Sequence, residues 1–318
     1  MTDVVALGEV LIDFTYLENN EDGYPVLGAH PGGAPSNYLA ALKKFGVSTA
    51  LLGKVGTDTF GKLLTGSLQK IGIETKGVVA SDDVFTTLAF VTLDETGNRE
   101  FSFARKPGAD TCLQFDEVDM DLLENCKVLH FGTLSLTDEP SRSTTKKAVA
   151  LAKEKGKLIS YDPNLRKPLW KDLEEAKEQI LWGLSMADVV KISDEEVEFL
   201  FGLQPEQAAD HILENFPVKV AAVTCGKDGC YILNKNAKEK VPGLTGLHVI
   251  DTTGAGDIFG GSLMYKLLST GKDPAELTGE ELREAASFAC ASAGLSTTRS
   301  GGMYSVPTLE EIREVMEK

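Results

Sequence analysis

The sequence predicts an α/β protein with a central, mainly parallel sheet and helices on both of its faces. Short apolar runs of strand length alternate with amphipathic runs of helical period over most of the 318 residues. Two extended insertions, about 14–33 and 85–108, interrupt this alternation and predict a small β-sheet that projects from the α/β core as a lid. Because we find no internal repeat and no low-complexity linker, we expect one domain over residues 1–318.

Seven runs are predicted as buried strands because each is short and rich in apolar residues. In chain order they are Val4–Ile12, Thr49–Val55, Lys127–Phe131, Lys157–Tyr161, Val189–Ile192, Val218–Thr224 and Leu247–Ile250.

Helical patterns lie between several of these strands. In "APSNYLAALKKFG" (34–46), Pro35 suits a first helical turn and Gly46 suits a C-terminal cap. The pattern "EPSRSTTKKAVALAKEKG" closes at Gly156. Three S/T-x-x-E sequences predict capping boxes at helix starts, and they begin at Ser193, Thr278 and Thr308.

The two insertions have the pattern of extended chain. "FTTLAFVTLDETGNREFSFAR" (85–105) predicts an antiparallel hairpin that turns at "DETGN" (94–98). Residues 14–33 are punctuated by glycine and proline.

Charge and composition exclude several classes of protein. The formal net charge of −16 disfavours nucleic-acid binding and repels nucleotides at long range, so an ATP site must supply its own positive field. No apolar run approaches a membrane span, and "MTDVVALGEV" lacks a basic n-region, so we expect a cytoplasmic protein. Five cysteines without a C-x-x-C pair favour buried free thiols over disulfides or structural zinc.

Two glycine-rich segments compete as phosphate sites. "GTDTFGKL" (Gly56–Leu63) matches most of a P-loop, but Leu63 stands where a P-loop has the hydroxyl that binds magnesium. We therefore interpret it as a turn before an amphipathic helix, with Asp58 as a candidate cap. "IDTTGAGDIFGG" (250–261) is one residue too long for a dinucleotide fingerprint.

The second segment nevertheless has the context of an anion site. A predicted strand, a glycine-rich turn and a helix from about Ala255 follow one another, so backbone N–H groups and the helix dipole favour an anion there. Asp257 weakens simple phosphate binding, but it suits a base that takes a proton from an attacking hydroxyl. The alternative is a first-turn aspartate that complements the helix dipole, and the residues alone leave both open.

"DTTGAGD" with Phe259 and Gly261 resembles the second signature of the PfkB, or ribokinase-like, carbohydrate kinases. "GGAPSNYLAALKKFGVSTALLGKVGTDTFG" (32–61) resembles the first signature, and the similarity extends over essentially the whole chain. The resemblance implies a Rossmann-like ribokinase fold with a β-sheet lid, ATP-dependent phosphorylation of a sugar hydroxyl, and Mg²⁺. "ALGEVLIDF", "GGAPSN", "FARKPGAD" and "YDPNLR" are most similar to the fructokinases of this family.

The resemblance also implies roles for individual residues. Asp257 aligns with the catalytic base, and the amides of Gly254, Ala255 and Gly256 align with the anion hole. The residues implied in sugar binding are Asp13, Gly32, Gly33, Asn37, Arg105, Arg166 and Asp257. Asp13 could instead make a turn at a strand end, Asn37 could be an early-helix polar residue, and each arginine could pair with a surface carboxylate.

The nucleotide side of the site rests on weaker motifs. "SDEE" (193–196) stands where the family has N-x-x-E, so Glu196 is a candidate for indirect magnesium and phosphate positioning, and "TCGKDG" (224–229) resembles a nucleotide-binding turn. The residues implied in ATP binding are Lys191, Glu196, Thr224, Gly226, Gly229 and Gly256. Those at the potassium site of many relatives are Asp251, Thr253, Ser296, Gly301 and Ser305.

Two positions depart from the family pattern. Cys290 replaces the asparagine or histidine often found near adenine in the family, so the resemblance leaves the adenine contact at this position open. Ser262 replaces alanine or glycine, which we expect to be a tolerated change in helix packing.

The leading hypothesis is a fructokinase with ATP and Mg²⁺ that phosphorylates fructose to fructose 6-phosphate, and we expect a homodimer because lids of relatives often pair. The alternatives are a kinase for ribose, 2-keto-3-deoxygluconate or a nucleoside, and a non-catalytic sugar or nucleotide sensor on the same fold. The glycine spacing at 254–260 disfavours a nicotinamide-dependent oxidoreductase.

Overall fold

The computed structural model describes residues 2–93 and 99–317 of the chain, with the side chains of residues 92, 93 and 99–101 excluded. A large sheet and a small sheet form the framework. The strands are β1 (Val4–Leu7), β2 (Leu11–Asn19), β3 (Pro25–Gly32), β4 (Thr49–Gly56), β5 (Val78–Ser81), β6 (Leu88–Leu93), β7 (Arg99–Ala104), β8 (Val128–Gly132), β9 (Leu158–Asp162), β10 (Val189–Ser193), β11 (Val220–Thr224), β12 (Cys230–Leu233) and β13 (Lys238–Val241).

The large sheet has nine strands in the order β13-β12-β11-β10-β9-β8-β1-β4-β5. Every neighbouring pair from β11 to β5 is parallel, and only β12 and β13 at one edge run antiparallel. The predicted mainly parallel sheet is therefore confirmed. Its inner strands are mostly apolar because both faces are covered, and all residues of β4 are buried.

Helices cover both faces of the large sheet. They are α1 (Ala34–Lys44), α2 (Thr59–Ile71), α3 (Met120–Asn125), α4 (Ser141–Glu154), α5 (Leu173–Met186), α6 (Asp194–Phe201), α7 (Pro205–Asn215), α8 (Ala255–Ser269), α9 (Gly279–Ser296) and α10 (Leu309–Met316). One apolar core packs α1, α8 and α9 against the sheet, and a second core packs α4, α5 and α7 against the opposite face.

Two predicted strands are wrong. Val4–Ile12 is divided, because Val4–Leu7 pairs within the large sheet while the chain from Leu11 pairs within the small one. Both parts are buried, so the apolar pattern cannot show the change of sheet. Leu247–Ile250 forms no strand: Val249 and Ile250 are exposed, and the Ile250 N–H donates to the Thr297 carbonyl at the end of α9 (2.8 Å).

The small sheet has the order β3-β2-β6-β7 and comes from the two predicted insertions. β2 pairs antiparallel with β3 and parallel with β6, and β6 and β7 form the predicted antiparallel hairpin. The predicted turn at 94–98 lies outside the described residues. β2 follows β1 directly, so the small sheet starts at the carboxyl edge of the large sheet.

The predicted helix ends are confirmed. Pro35 lies in the first turn of α1, and Gly46 and Gly156 follow α1 and α4 with positive φ. Asp58 caps α2 through the Phe60 and Gly61 N–H groups, so the P-loop-like segment is a helix start. Ser193, Thr278 and Thr308 each form a capping box with the glutamate three residues later.

The expectations for Ser262, for the five cysteines and for membrane-spanning helices can be compared with the structure in turn. Ser262 on α8 donates to the Ser292 hydroxyl on α9 (2.8 Å), which satisfies both buried groups. All five cysteines are free, and the sulfurs of Cys230 and Cys290 lie 3.9 Å apart. No helix within residues 2–93 and 99–317 is long and apolar enough to cross a membrane.

Candidate active site

The carboxyl edge of the large sheet brings the predicted site residues together. β9 ends at Asp162, β10 carries Lys191 and ends at Ser193, and β11 ends at Thr224. In open α/β sheets, ligands bind in the crevice outside the carboxyl ends of the strands. α8 begins at this same edge, since a side chain placed on Gly256 would meet the Lys191 ammonium.

The first turn of α8 forms an anion site. Gly254 precedes the helix with φ 77°, a left-handed conformation that favours glycine, and no side chain caps the helix. The first-turn N–H groups therefore remain available to a ligand, and the helix dipole adds positive field. The Ala255 N–H already donates to the Thr252 carbonyl in a long bond (3.3 Å), so the amides of the turn are not equally free.

Asp257 is held in a fixed orientation beside this turn. Its side chain is 9% exposed, and its Oδ2 accepts a hydrogen bond from the Asn37 Nδ2 (2.8 Å). Burial raises the pKa of Asp257, while Asn37, Lys191 and Arg166 oppose that rise. A carboxylate with a raised pKa accepts protons more readily, which suits a general base.

Asn37 therefore lies against the candidate base. Its Oδ1 is buried and has no hydrogen-bond partner among the described residues, and a side chain on Gly254 would stand 2.9 Å from its Nδ2. Asn37 is more than an early-helix polar residue, because its amide orients Asp257.

Lys191 supplies a positive charge at the same place. Its Nζ lies 3.1 and 3.3 Å from the carboxylate oxygens of Asp162, and a Cβ on Gly256 would stand 3.0 Å from it. Burial raises the pKa of Asp162 to about 7, although Lys191 opposes the rise. Lys191 thus adds a cation to the helix dipole at the first turn of α8.

Glu196 has both of its oxygens engaged. Oε2 accepts from the Ser193 N–H and hydroxyl (2.8 and 2.9 Å), and Oε1 accepts from the Leu165 N–H (2.7 Å). The capping role is therefore confirmed. Its charge also acts on Lys191 and Asp162, so Glu196 borders the anion site.

Asp13 brings the small sheet to the same site. It lies on β2 opposite His30 of β3, and its carboxylate faces Gly32. Burial raises the pKa of Asp13 to about 6, with Arg166 opposing and Asp257 adding to the rise. Asp13, Arg166 and Asp257 therefore act on one another electrostatically. Gly32 ends β3, and Gly33 immediately precedes α1.

Arg105, predicted to contact the ligand or to pair with a carboxylate, pairs with a carboxylate in this structure. Its Nε donates to Asp110 (2.8 Å), its Nη1 to the Thr137 hydroxyl and its Nη2 to the Leu134 carbonyl (2.8 Å each). Its side chain is 3% exposed, and the carboxylate partner is buried rather than on the surface. Because these partners occupy its donors, Arg105 joins the end of the small sheet to the loop after β8. Arg166 is exposed and keeps its donors available to a ligand.

The residues predicted to bind the nucleotide lie on β11, next to β10, and in the turn that follows it. Thr224 ends β11, and Gly226 and Gly229 shape the turn into β12 with positive φ. Cys290 is buried in α9 against Cys230. The exposed apolar residues Val249 and Ile250 lie in the segment before α8.

The comparisons with known proteins agree with this geometry. The model of the pfkB family carbohydrate kinases matches residues 1–309. The chain belongs to this family. Fructokinase-1 of Zea mays is 40% identical over 321 residues, which cover 99% of this chain and 98% of that protein.

Solved structures show the same fold. A fructokinase from Xylella fastidiosa with bound ATP has a TM-score of 0.91 at 29% identity and covers 100% of this chain and 99% of its own. A double-mutant fructokinase from Vibrio cholerae O395, with fructose, ADP and a potassium ion bound, has a TM-score of 0.87 at 31% identity and covers 99% and 98%. Among other similar structures, one carries ATP with Mg²⁺ and another carries fructose, ADP and a calcium ion.

Mg²⁺ and K⁺ would be held by different groups in this kinase. Among the described residues, no group of three or more His, Cys, Asp or Glu side chains is placed to hold a metal ion. Mg²⁺ bound with a nucleotide usually keeps several waters and is held by phosphates and one or two carboxylates.

Of the residues predicted for potassium, Asp251 and Thr253 lie before α8, Gly301 and Ser305 lie after α9, and Ser296 ends α9. The two loops meet beside Asn37, since a side chain on Gly254 would stand 2.9 Å from Asn37 and 3.3 Å from Gly302. Asp251 Oδ1 accepts from the Thr253 N–H (2.9 Å), and Ser296 and Ser305 donate their hydroxyls to backbone carbonyls. Gly301 has φ 110° and begins the turn of residues 302–304.

Sequence reasoning missed Asp162 and Glu9. Asp162 lies inside the "YDPNLR" motif, from which only Arg166 was singled out, and it ends a parallel strand. Glu9 follows β1, is 3% exposed, and accepts from the Ala34 N–H (2.9 Å). Acidic residues just after buried parallel strands are the signal that would have found both.

Proposed function

We propose that this kinase is a fructokinase that transfers the γ-phosphoryl group of ATP to a hydroxyl of fructose. The observation that carries the proposal is Asp257, held by Asn37 beside the uncapped first turn of α8 and Lys191. A base next to an anion site is the arrangement needed to activate a hydroxyl that attacks a phosphoryl group.

Each group has a role in the proposed mechanism. Asp257 accepts the proton of the attacking hydroxyl, and Asn37 keeps its carboxylate aimed at that hydroxyl. The N–H groups of residues 254–256 and the Lys191 ammonium stabilise negative charge on the transferring group. When bound with ATP, Mg²⁺ would neutralise charge on the phosphates. Thr224, Gly226 and Gly229 lie on the nucleotide side, with Glu196 beside the phosphates.

The charges at the sugar end support a neutral sugar. Asp257 is buried and Asp13 is partly buried, and Arg166 is the cation that acts on both carboxylates. Arg105 is occupied by Asp110 and offers no second cation. A sugar acid such as 2-keto-3-deoxygluconate would bring a third carboxylate to one guanidinium. Fructose instead offers hydroxyls that donate to Asp13.

The small sheet is proposed to act as a lid within a single domain over residues 1–318. Asp13 connects it to the sugar end, and closing it would exclude water and limit hydrolysis of ATP. Its exposed residues Tyr16, Leu17 and Tyr24 support the proposal of a homodimer through this sheet. The residues proposed to hold K⁺ are Asp251, Thr253, Ser296, Gly301 and Ser305. The cytoplasm is the proposed compartment.

The test is ADP formation with Mg·ATP and a panel of fructose, ribose, glucose, mannose, 2-keto-3-deoxygluconate and adenosine. We expect fructose to give the highest kcat/KM and EDTA to abolish turnover. Higher kcat/KM with another member of the panel would reassign the substrate. If no compound stimulates ADP formation above the Asp257→Asn variant, the kinase mechanism is wrong and the sensor alternative is favoured.

A further inference from the structure

We propose that Asp162 is a positioning residue that holds the Lys191 ammonium against the first turn of α8, ready for the incoming phosphoryl group. The inference deepens the proposed kinase function and rests on it. Neither the sequence motifs nor the proposed mechanism gives Asp162 a role.

The geometry of two neighbouring strands places this pair. Tyr161 of β9 pairs with Val190 of β10, and Asp162 and Lys191 are the next residues of the two parallel strands. Their side chains therefore leave the sheet on the same face, and Nζ meets both carboxylate oxygens at 3.1 and 3.3 Å. The Asn164 N–H donates to Asp162 Oδ1 (3.2 Å), so the backbone fixes the carboxylate.

Both members of the pair are withdrawn from water. The side chain of Asp162 is 7% exposed and that of Lys191 is 12% exposed. A buried lysine keeps its charge only when a counter-charge lies beside it. Asp162 therefore both orients the Lys191 ammonium and keeps it charged. The ammonium lies beside the first turn of α8, since a Cβ on Gly256 would stand 3.0 Å from Nζ.

Lys191 is shared by more than one carboxylate. Asp162, Glu196 and Asp257 all act on it, so one ammonium serves three acidic groups. ATP adds further negative charge beside the same ammonium. We infer that the phosphate takes Lys191 over from Asp162 when the nucleotide binds.

Asp162 then loses its counter-charge in a buried position. The titratable groups that act on it are Lys191 from β10, Glu196 from α6, Asp257 from α8, Tyr38 from α1 and Tyr161 from its own strand. Glu9 and His130 line a small, partly open cavity with it. None of these besides Lys191 is a cation at neutral pH, since burial lowers the pKa of His130 to about 3. Asp162 therefore binds a proton as the nucleotide enters.

A second buried lysine pair provides the matched control. Lys54 lies 2.6 Å from Glu117 with its side chain 7% exposed, and its other partner is the Cys112 carbonyl. None of these residues belongs to the candidate active site. Glu117→Gln therefore measures the cost of removing the counter-charge of a buried lysine without touching the phosphate site.

The first experiment is a double-mutant cycle of Asp162→Asn and Lys191→Met, with ADP formation measured with fructose and Mg·ATP. We expect Asp162→Asn to lower kcat by about 10- to 100-fold, the cost of misplacing a catalytic group. Because Asp162 acts through Lys191, the double variant should be no slower than Lys191→Met alone. Losses that multiply in the double variant, or an equal loss in Glu117→Gln, would overturn the inference.

The second experiment does not depend on the sugar. Binding of Mg²⁺ with the β,γ-imido analogue of ATP is measured by calorimetry at pH 7.5 in two buffers of different ionisation heat. We expect the wild-type protein to take up protons and Asp162→Asn to take up fewer, with Glu117→Gln like the wild type. Equal uptake by the wild type and Asp162→Asn would overturn the inference. Proton uptake without turnover of fructose would instead refute the proposed function alone.

Discussion

Replacing Asp257 by asparagine should separate catalysis from stability. The Asn37 Nδ2 that donates to Asp257 Oδ2 (2.8 Å) can donate equally to the amide oxygen of the variant, so the local structure is retained. The asparagine cannot accept the hydroxyl proton. General-base catalysis contributes about 10²- to 10⁴-fold, so kcat should fall by that factor, which corresponds to about 2.7–5.4 kcal/mol in activation free energy.

The same substitution should not destabilise the fold. Burial raises the pKa of Asp257, which means that its ionised form is disfavoured in the folded protein. A neutral isostere removes that cost, so the free energy of unfolding at pH 8 should equal or exceed that of the wild type. Alanine is a poorer choice because it leaves the Asn37 amide without its partner, at a cost of about 1–3 kcal/mol.

The assay compares kcat for ADP formation at saturating fructose and Mg·ATP with urea unfolding of the same preparations. Asp121→Asn is the control, since Asp121 lies in the first turn of α3 and its side chain is 84% exposed. If Asp257 served only to complement a helix dipole, both variants would behave alike. A less than about threefold fall in kcat for Asp257→Asn, or a loss of stability that accounts for the lost activity, would refute the reasoning.

Three further predictions test other parts of the site. Gly256→Ala should lower kcat by at least about tenfold, because the new Cβ would stand 3.0 Å from the Lys191 ammonium and displace it. Gly66→Ala in α2 is the control, since a Cβ there meets open space. It should leave kcat unchanged and add up to about 1 kcal/mol of stability in thermal unfolding. Burial raises the pKa of Glu9 from 4.5 to about 8, so its contribution to stability is present below pH 4.5 and is lost as the pH rises to 8. Urea unfolding should therefore show Glu9→Gln more stable than the wild type at pH 8.5, with little difference at pH 4.5, and parallel pH profiles would contradict this. Arg105→Met removes the ion-pair partner of the buried Asp110 and should lower the free energy of unfolding in urea by about 3–5 kcal/mol. The double variant Arg105→Met/Asp110→Leu should recover part of that loss. Additive losses in the double variant would contradict a shared ion pair.

The parallel sheet and most of its strands were predictable because burial on both faces leaves continuous apolar runs. The division of Val4–Ile12 was not, since Leu7 and Leu11 are both buried but belong to two different sheets. Leu247–Ile250 was mistaken for a strand because its apolar side chains suggest burial. In the structure, Val249 and Ile250 are 55% and 58% exposed, and the backbone bonds to the end of α9.

The candidate site was predictable to a similar extent. Asp257 and the turn of Gly254–Gly256 lie together in one motif, so their relation is local. Asn37 was identified, but its hydrogen bond to Asp257 joins residues 220 positions apart. Arg105 was assigned to the ligand because the sequence does not show that Asp110, only five residues away, turns back to pair with it.

By itself, the sequence determined the family, the α/β class, the helix caps and the residue types at the anion site. These depend on periodicity and on short motifs, whose physics acts within a few residues. Only the tertiary structure decided which side chains interact: Asp162 pairs with Lys191, Asn37 bonds to Asp257, and the charge of Arg166 acts on Asp13. Each pair comes from separate strands, helices or loops, and burial sets the pKa of its carboxylate, so neither the pairing nor the protonation is present in any one segment of the chain.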